Sequence, residues 1–405
     1  MERRRVVITG AGSINALGHS VPDTFAALRE SRCGIGPLDL PDLDRLSIRI
    51  GAQVRNWRAE DHFTPRELAL FDRATQFALW AAQEATVQSG WRLDDAAALR
   101  AGVILGTAGG GLGTIDDNYR AVYAQGKSRV PPLTVPRLMA NAAAAQLAMR
   151  YGAKGPSFTL SSACASSNHA MGLAMQMIRS GMADVMLTGG ADAMLCFGGL
   201  KAWEGLRVMS PLACKPFSAN RSGLVQGEGA AVFVFEERAH AVARGATILA
   251  ELAGFGMTSD AHDIVMPDPQ GAARAMRLAL EDAGLEASQI GYLNAHGTGT
   301  AANDRSESRA IRDVFGDFSD DLLVSSTKGA HGHCMGASGA VELLACLLAL
   351  QEGVVAANLG YDLPDPDCDL TLVAHQAMRD VDVQAVLSNA FAFGGMNAVL
   401  ALRRA

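Results

Sequence analysis

Residues 156–167 read Pro156-Ser157-Phe158-Thr159-Leu160-Ser161-Ser162-Ala163-Cys164-Ala165-Ser166-Ser167. The run up to Leu160 predicts a strand, the Ser/Ala cluster a tight turn. Beyond it Ala170, Leu173, Ala174, Met177 and Ile178 fall on one stripe, which predicts a helix over 165–180. Cys164 sits at the junction, flanked only by small residues. The same alternation of short apolar runs, glycine-rich turns and longer helical patterns recurs along the chain. Further strands are predicted at Val6-Thr9, Ala101-Leu105, Val185-Thr188, Ala231-Glu236, Leu323-Ser325 and Ala385-Leu387, and further helices over 72–89 and 339–350. This pattern favours α/β architecture.

No Pro/Ser-rich linker, low-complexity tract or short repeat divides the chain. The nearest approach to a seam is Ala250 to Gln270, where a strand-like stretch gives way to His262, Asp263, Pro267, Asp268 and Pro269. Two halves of one compact unit, 1–250 and 251–405, are expected.

Composition narrows the function classes. The 405 residues are 49% hydrophobic and 19% charged, with 43 glycines and a net charge of −7. That excludes disorder, collagen and coiled coil and leaves nucleic acid poorly supported as a partner. The richest apolar stretch, Val341 to Leu350, is short and carries Glu342, so no membrane span is expected. Met1 to Gly10 has basic residues but no signal-type apolar region, and a cytoplasmic location is expected. The seven cysteines are scattered and include no CxxC pair, which argues against a disulfide framework or a clustered zinc site.

Cys164 is the nucleophile candidate. A helix N-terminus carries partial positive charge, so a thiol placed there is expected to be shifted toward thiolate. An isolated cysteine is more often a small buried hydrophobe, and Cys33, Cys196, Cys214, Cys334, Cys346 and Cys368 are read that way. Two glycine-dense histidine loops set Cys164 apart: Asn294-Ala295-His296-Gly297-Thr298-Gly299-Thr300 and Lys328-Gly329-Ala330-His331-Gly332-His333-Cys334-Met335-Gly336-Ala337-Ser338-Gly339. Glycine lets backbone and ligand approach closely, and reactive side chains concentrate on loops. His331 and His333 lack a third ligand at metal-site spacing, so no metal is expected.

Read together, these motifs resemble the elongating β-ketoacyl-acyl-carrier-protein synthases, condensing enzymes of the thiolase superfamily. The resemblance runs nearly end to end. It covers Val6-Val7-Ile8-Thr9-Gly10, Ser162-Ala163-Cys164-Ala165-Ser166, Ala183 to Ala191, Pro216-Phe217-Ser218, Gly227-Glu228-Gly229-Ala230, Ala295 to Thr300, Ser325-Ser326-Thr327-Lys328, Gly332-His333 and Ser388 to Gly395. It implies a five-layered αβαβα thiolase-like fold of two similar halves and decarboxylative condensation of an acyl group with malonyl-carrier protein. Cys164 would hold the acyl thioester, while His296 and His333 would drive decarboxylation and stabilise the enolate, in a division the sequence leaves open. Lys328, paired with Glu342, would support the site electrostatically. Backbone N–H groups of Cys164 and Phe393 would form the oxyanion hole. Thr298 and Thr300 would hold the phosphopantetheine arm, Phe391 would contact substrate, and Phe393 on Gly394-Gly395 would gate the acyl pocket. The substrates ride on acyl carrier protein, and no metal or redox cofactor is implied. A homodimer is expected, or a heterodimer with a chain-length-factor subunit. His333 distinguishes this branch from initiating synthases, which carry Asn there, and Cys164 distinguishes it from chain-length factors.

Three departures stand out. Gly109 replaces a bulky residue that lines the acyl pocket in many elongating synthases, which implies extra volume for an atypical acyl chain unless the turn itself needs glycine. The helix expected to dock the acidic carrier, Thr64 to Arg73, is less basic than usual, leaving Arg66, Arg73 and Arg207 as docking candidates. Finer wording at Lys201-Ala202-Trp203-Glu204, Pro364 to Leu370 and Gly394 to Leu400 is similar to the nodulation-protein-E branch. The alternatives are a ketosynthase of a specialised lipid or type II polyketide pathway, a cysteine hydrolase, and a non-catalytic scaffold.

Overall fold

The computed structural model describes residues 3–92 and 95–405. Ten strands form one mixed sheet: β1 (Val6–Asn15), β2 (Ala101–Gly106), β3 (Ser157–Leu160), β4 (Val185–Asp192), β5 (Gly229–Glu237), β6 (Ala250–Ser259), β7 (Tyr292–Asn294), β8 (Leu323–Ser325), β9 (Ala385–Ala392) and β10 (Met396–Arg403). Their order is β8-β7-β9-β10-β6-β1-β5-β4-β2-β3. Read outward from the β1/β6 pair, both sides follow the same plan, with the first and fifth strands of each set innermost and its second and third outermost. The outer pairs are parallel and the inner ones antiparallel. The stretch where the sequence changes character therefore opens with a central strand, β6, bonded to β1 through Val6↔Leu252 and Ile8↔Ala250.

Eight helices carry the argument: α1 (Arg73–Ser89), α2 (Leu112–Tyr119), α3 (Ala142–Tyr151), α4 (Ser166–Arg179), α5 (Phe197–Leu206), α6 (Pro269–Ala283), α7 (Ala301–Phe315) and α8 (Ser338–Glu352). Alternation along the strands sorts their side chains into layers. Val103, Leu105, Val185, Leu187, Val232 and Val234 pack on α1 and α3. Their neighbours Ile104, Met186, Phe233 and Phe235 face the opposite way, onto α4 and α8. From the second set, Val386, Ala398 and Leu400 join that middle layer, whereas Leu387, Val399 and Ala401 pack on α6 and α7. The result is the five-layered αβαβα arrangement expected from the sequence.

Burial on all sides explains the composition of α8. With the turn before it, Met335–Glu352 is an 18-residue helical stretch apolar enough to cross a membrane by composition, contrary to the expectation from Val341–Leu350 alone, yet 89% of it is buried inside this protein. The two central helices approach closely because Gly339 lacks a side chain: a β-carbon there would lie 2.0 Å from Asn168 Oδ1. Ala340 N donates to Ser167 Oγ across the same contact, at 3.0 Å. This crossing brings the N-terminal ends of α4 and α8 together.

Candidate active site

Between β3 and α4 the chain turns through residues 161–165. Ala163 has φ 49°, a region few non-glycine residues occupy. Ser166 braces the turn: its hydroxyl accepts from Ser162 N at 2.9 Å and donates to Ala163 O at 2.6 Å. β2 passes so close behind that a β-carbon on Gly106 would sit 2.4 Å from the Ser166 carbonyl carbon. The strained turn thus presents Cys164 while leaving its thiol buried. Here the expectation of a thiolate-favouring site is overturned. Burial pushes the Cys164 thiol up to about 12, with the Lys328 ammonium pulling the other way, because loss of water disfavours the charged form.

His333 is delivered by the loop between β8 and α8. Its backbone is pinned by His333 N to Val225 O at 2.7 Å and Gly227 N to His333 O at 2.8 Å, an approach that leaves no room for a β-carbon on Gly227. The ring Nε2 lies 3.1 Å from Cys164 Sγ. Nδ1 accepts from Met335 N at 3.0 Å, and Ser338 Oγ lies 2.8 Å away. A backbone N–H can only donate, so the neutral ring carries its proton on Nε2.

His296 lies on the loop between β7 and α7. Its backbone N–H and that of Gly297 donate to Glu307, at 2.8 and 2.7 Å, and Asn389 Nδ2 donates to the same carboxylate at 3.1 Å. Lys328 Nζ stands 3.3 Å from His296 Nδ1, bonds the His296 carbonyl and pairs with Glu342. An ammonium also only donates, so His296 too presents Nε2–H. Burial, reinforced by Lys328, holds both imidazoles well below the usual 6.5 and therefore neutral. Burial raises Glu342, and Lys328 opposes that shift. The ligand atoms of Cys164, His296 and His333 lie within 4.8 Å of one another, a spacing a metal ion could use. The two Nε2 protons and the adjacent ammonium fit this trio for donating to an anionic oxygen.

These groups open on a cavity of about 100 Å³. One side is polar, with Asn303, Thr298 and Thr300, the two threonine hydroxyls being 2.8 Å apart. The other is apolar, formed by Trp203, Val208, Leu224, Phe391 and Phe393. Phe391 lies 6.1 Å from the His296 ring, and Phe393 stacks on Trp203 with centroids 6.0 Å apart. Gly394 and Gly395, both left-handed at φ 81° and 67°, turn the chain after Phe393. Gly394 N donates to Ile264 O and Asp260 N to Gly395 O, each at 2.8 Å, tying this turn to the 260–268 loop.

Two further sequence expectations need correcting. Gly109 opens no empty volume: a β-carbon there would lie 2.6 Å from Met194 Cγ and 2.7 Å from its sulfur, so Met194 already fills the space. Nor is Arg73 a free docking charge. It clamps the buried Glu228 through two bonds of 2.9 and 2.7 Å, bonds Val54 O and lies over the Phe77 ring. Arg66 and Arg207 are exposed.

Sequence reasoning passed over Asp192, Glu307 and Trp203. Asp192 is buried, with its carboxyl raised to about 6 by burial. It accepts from Thr107 Oγ1, Ala108 N, Gly109 N and Gly336 N at 2.6 to 3.0 Å, which ties the first-half turn to the loop carrying His333. His331, by contrast, bonds Thr327 Oγ1 and Gly332 O, each at 2.8 Å.

Sheet order and layers are those of a ketosynthase fold, and a cysteine beside imidazole Nε2–H donors suits thioester chemistry. Two family profiles match, the β-ketoacyl synthase N-terminal domain over residues 3–241 and its C-terminal domain over 249–362, and the chain belongs to the β-ketoacyl synthase family. Nodulation protein E of Rhizobium sp. (strain N33) is 47% identical over 401 residues, covering 99% of each chain. The 3-oxoacyl-[acyl-carrier-protein] synthase 2 of Staphylococcus aureus (strain N315) is 37% identical over 410 residues, 100% of this chain and 99% of that protein. Among solved structures, the ishigamide ketosynthase/chain length factor superposes with TM-score 0.94 at 36% identity over 100% of both chains. A β-ketoacyl synthase from Burkholderia phymatum superposes with TM-score 0.91 at 34% identity, over 99% of this chain and 100% of that one.

Proposed function

We propose that the chain is a β-ketoacyl-acyl-carrier-protein synthase that lengthens fatty acyl chains by two carbons. The Cys164 sulfur attacks an acyl-carrier thioester, forming the acyl-cysteine and releasing the carrier thiol. Malonyl-carrier protein then loses carbon dioxide, and the electron pair of the broken carbon–carbon bond becomes the enolate. The two Nε2–H donors meet the enolate oxygen, the carbanion attacks the acyl-cysteine carbonyl, and the Cys164 thiolate leaves. The N–H groups of Cys164 and Phe393 act as oxyanion donors, each typically contributing a few kcal/mol to the transition state. Thr298 and Thr300 bind the phosphopantetheine arm, and Lys328 with Glu342 keeps His296 oriented. Every step is a heterolytic exchange among thioesters and carboxylate, so the reaction as written needs no metal or redox cofactor.

The observation that carries this reading is the approach of Cys164 Sγ to His333 Nε2, beside a second histidine of the same tautomer. Carbon dioxide release from malonyl-carrier protein, lost when His296 and His333 are replaced, tests it. A cysteine hydrolase would release none, and a scaffold would trap no acyl group on Cys164.

Identity to nodulation protein E and likeness to a ketosynthase/chain length factor favour a second reading, a ketosynthase of a specialised lipid or type II polyketide pathway. Mass spectrometry of the acyl group trapped on Cys164 separates the two. The working form is a homodimer in the cytoplasm, or a heterodimer with a chain-length-factor subunit. The outermost strand β3 and the exposed Tyr123, Val135 and Phe158 support pairing with a second subunit, and sedimentation with and without that subunit tests it. Arg66 and Arg207 supply positive charge for acyl carrier protein.

A further inference from the structure

Asp192 is the last residue of β4 and is wholly buried. Four neutral donors meet its carboxylate, one hydroxyl and three backbone N–H groups. Oδ1 accepts from Thr107 Oγ1 at 2.6 Å and Gly109 N at 3.0 Å, and Oδ2 from Ala108 N at 2.8 Å and Gly336 N at 2.7 Å. Each oxygen therefore serves two donors, the full capacity of a carboxylate. Three of the donors belong to the turn after β2. The fourth, Gly336 N, belongs to the loop that carries His333.

That single bond to the second half bears on the His333 ring. Met335, next to Gly336, has φ 50°, a strained conformation that persists only where its surroundings over-determine it. A β-carbon on Gly336 would lie 2.3 Å from Ala108 N and 2.6 Å from Asp192 Oδ2, so the loop presses on the carboxylate with no room for a side chain. The strained residue is the one whose N–H donates to His333 Nδ1, at 3.0 Å. The other neighbour of Nδ1, Ser338 Oγ at 2.8 Å, is a hydroxyl and can donate or accept. Without the Met335 N–H the ring proton is free to sit on Nδ1, with Ser338 accepting it and the Cys164 thiol donating to a bare Nε2. His333 then has no proton to offer an enolate oxygen.

We infer that Asp192 is a positioning residue for decarboxylation: by holding Gly336 N at Oδ2 it keeps Met335 in its strained conformation and His333 in the Nε2–H tautomer. The kinetic consequence rests on the condensing reading above; the tautomer does not. The nucleophile has no such dependence. The Asp192 charge disfavours the Cys164 thiolate, so removing it makes acylation no harder.

The test compares two reaction steps and one spectrum. In Asp192→Ala, carbon dioxide release from malonyl-carrier protein is expected to fall about 10²-fold, the scale of one lost oxyanion donor. Acylation of Cys164 from an acyl-carrier thioester, read by mass spectrometry, is expected to stay within about threefold of wild type, because no charge that favours the thiolate is lost. Nitrogen NMR of the histidine rings, with the His333 signals assigned by their loss in His333→Asn, is expected to show the proton on Nε2 in wild type and a population on Nδ1 in the variant. Gly336→Ala crowds Oδ2 from the other side and is expected to give the same pattern, which carries the test if Asp192→Ala does not fold. Asp192→Asn keeps one oxygen for Gly336 N and is expected to restore the Nε2 proton and most of the carbon dioxide release. A His333 proton that stays on Nε2 in Asp192→Ala and Gly336→Ala overturns the role of Asp192, as does acylation lost in step with carbon dioxide release in a folded variant. A wild-type protein that shows the Nε2 proton yet releases no carbon dioxide overturns the condensing reading instead.

Discussion

The two sets of five strands share one plan, and their loops at the site can be compared pair by pair. In the first set residues 161–165 join β3 to α4 and hold Cys164; in the second, 326–337 join β8 to α8 and hold Lys328 and His333. The short connection is built of Ser, Ala and Cys, bent through a strained Ala163. The long one is polar and fully buried, with Lys328 against Glu342 and His333 bonded at both ring nitrogens. The turns after β2 and β7 correspond likewise, one carrying Gly109 under Met194 and the other His296. One plan therefore supplies two services: the first half presents a nucleophile and apolar surface, the second positions proton donors. Such a division is open to a duplicated fold because the N-terminal ends of two equivalent helices meet at a single point.

The largest test of this division separates the halves chemically. Cys164→Ala is expected to lower condensation about 10⁴-fold or more, while carbon dioxide release from malonyl-carrier protein stays within about tenfold of wild type. Parallel assays of ketoacyl product and carbon dioxide measure this. Equal loss of both would break the comparison, making Cys164 part of the decarboxylating apparatus.

Next in size is the buried pair of the second half. Lys328→Met leaves the buried Glu342 without its partner and is expected to cost about 3–5 kcal/mol in urea unfolding, with most of that recovered in Lys328→Met/Glu342→Leu. Activity is not expected to return in the double variant, because His296 Nδ1 loses the donor that sets its tautomer.

His333→Ala is expected to slow carbon dioxide release by about 10²–10³, the usual effect of losing one oxyanion donor. Its pH dependence sharpens the point. With folded pKa values well below 6.5, His296 and His333 stay neutral through mildly acid solution. The rate of carbon dioxide release is therefore expected to be flat from pH 7 to 5.5, without the acid limb of an ordinary imidazole. Stability behaves differently. The unfolded chain protonates these histidines, and His331, held near 3, as pH falls below about 6.5. Each then costs up to ~1.4 kcal/mol per pH unit. Asp192 and Asp304, raised to about 6, act in the opposite sense, taking up protons in the folded state first. Urea titrations at pH 7 and 5.5 on wild type and on His331→Asn read the histidine contribution.

What the sequence could disclose follows the same line. The Cys164 turn and both histidine loops were legible because reactive residues stand among glycines within a few positions. The apolar periodicity of α1 and α4 was legible because it is local. Arg73 was misread because its partner, Glu228, lies on the far side of α1 and three strands in sequence. Gly109 was misread because the atoms that fill its space belong to Met194, beyond β4. The thiol shift was misread because a helix terminus is visible in sequence, whereas the burial that outweighs it arises only on folding. β7 and β8, three residues each, are too short for alternation to reveal a repeated strand order.

The smallest expected effect concerns how an acidic protein meets an acidic carrier, and it too divides by location. Arg66 and Arg207 are exposed, so replacing either with Ala removes a screened surface charge. A rise of about two- to fivefold in KM for acyl-carrier protein is expected, shrinking as salt is raised, with kcat unchanged. Arg73→Ala strands the Glu228 carboxylate, which is 2% exposed. It is expected to lower the urea midpoint while leaving the salt dependence of KM as in wild type. A salt-sensitive KM defect in Arg73→Ala would return that residue to the docking surface. Salt-insensitive KM values in Arg66→Ala and Arg207→Ala would move carrier recognition off the arginines altogether, onto the exposed apolar residues Ile264, Val265 and Met266 beside the cavity mouth.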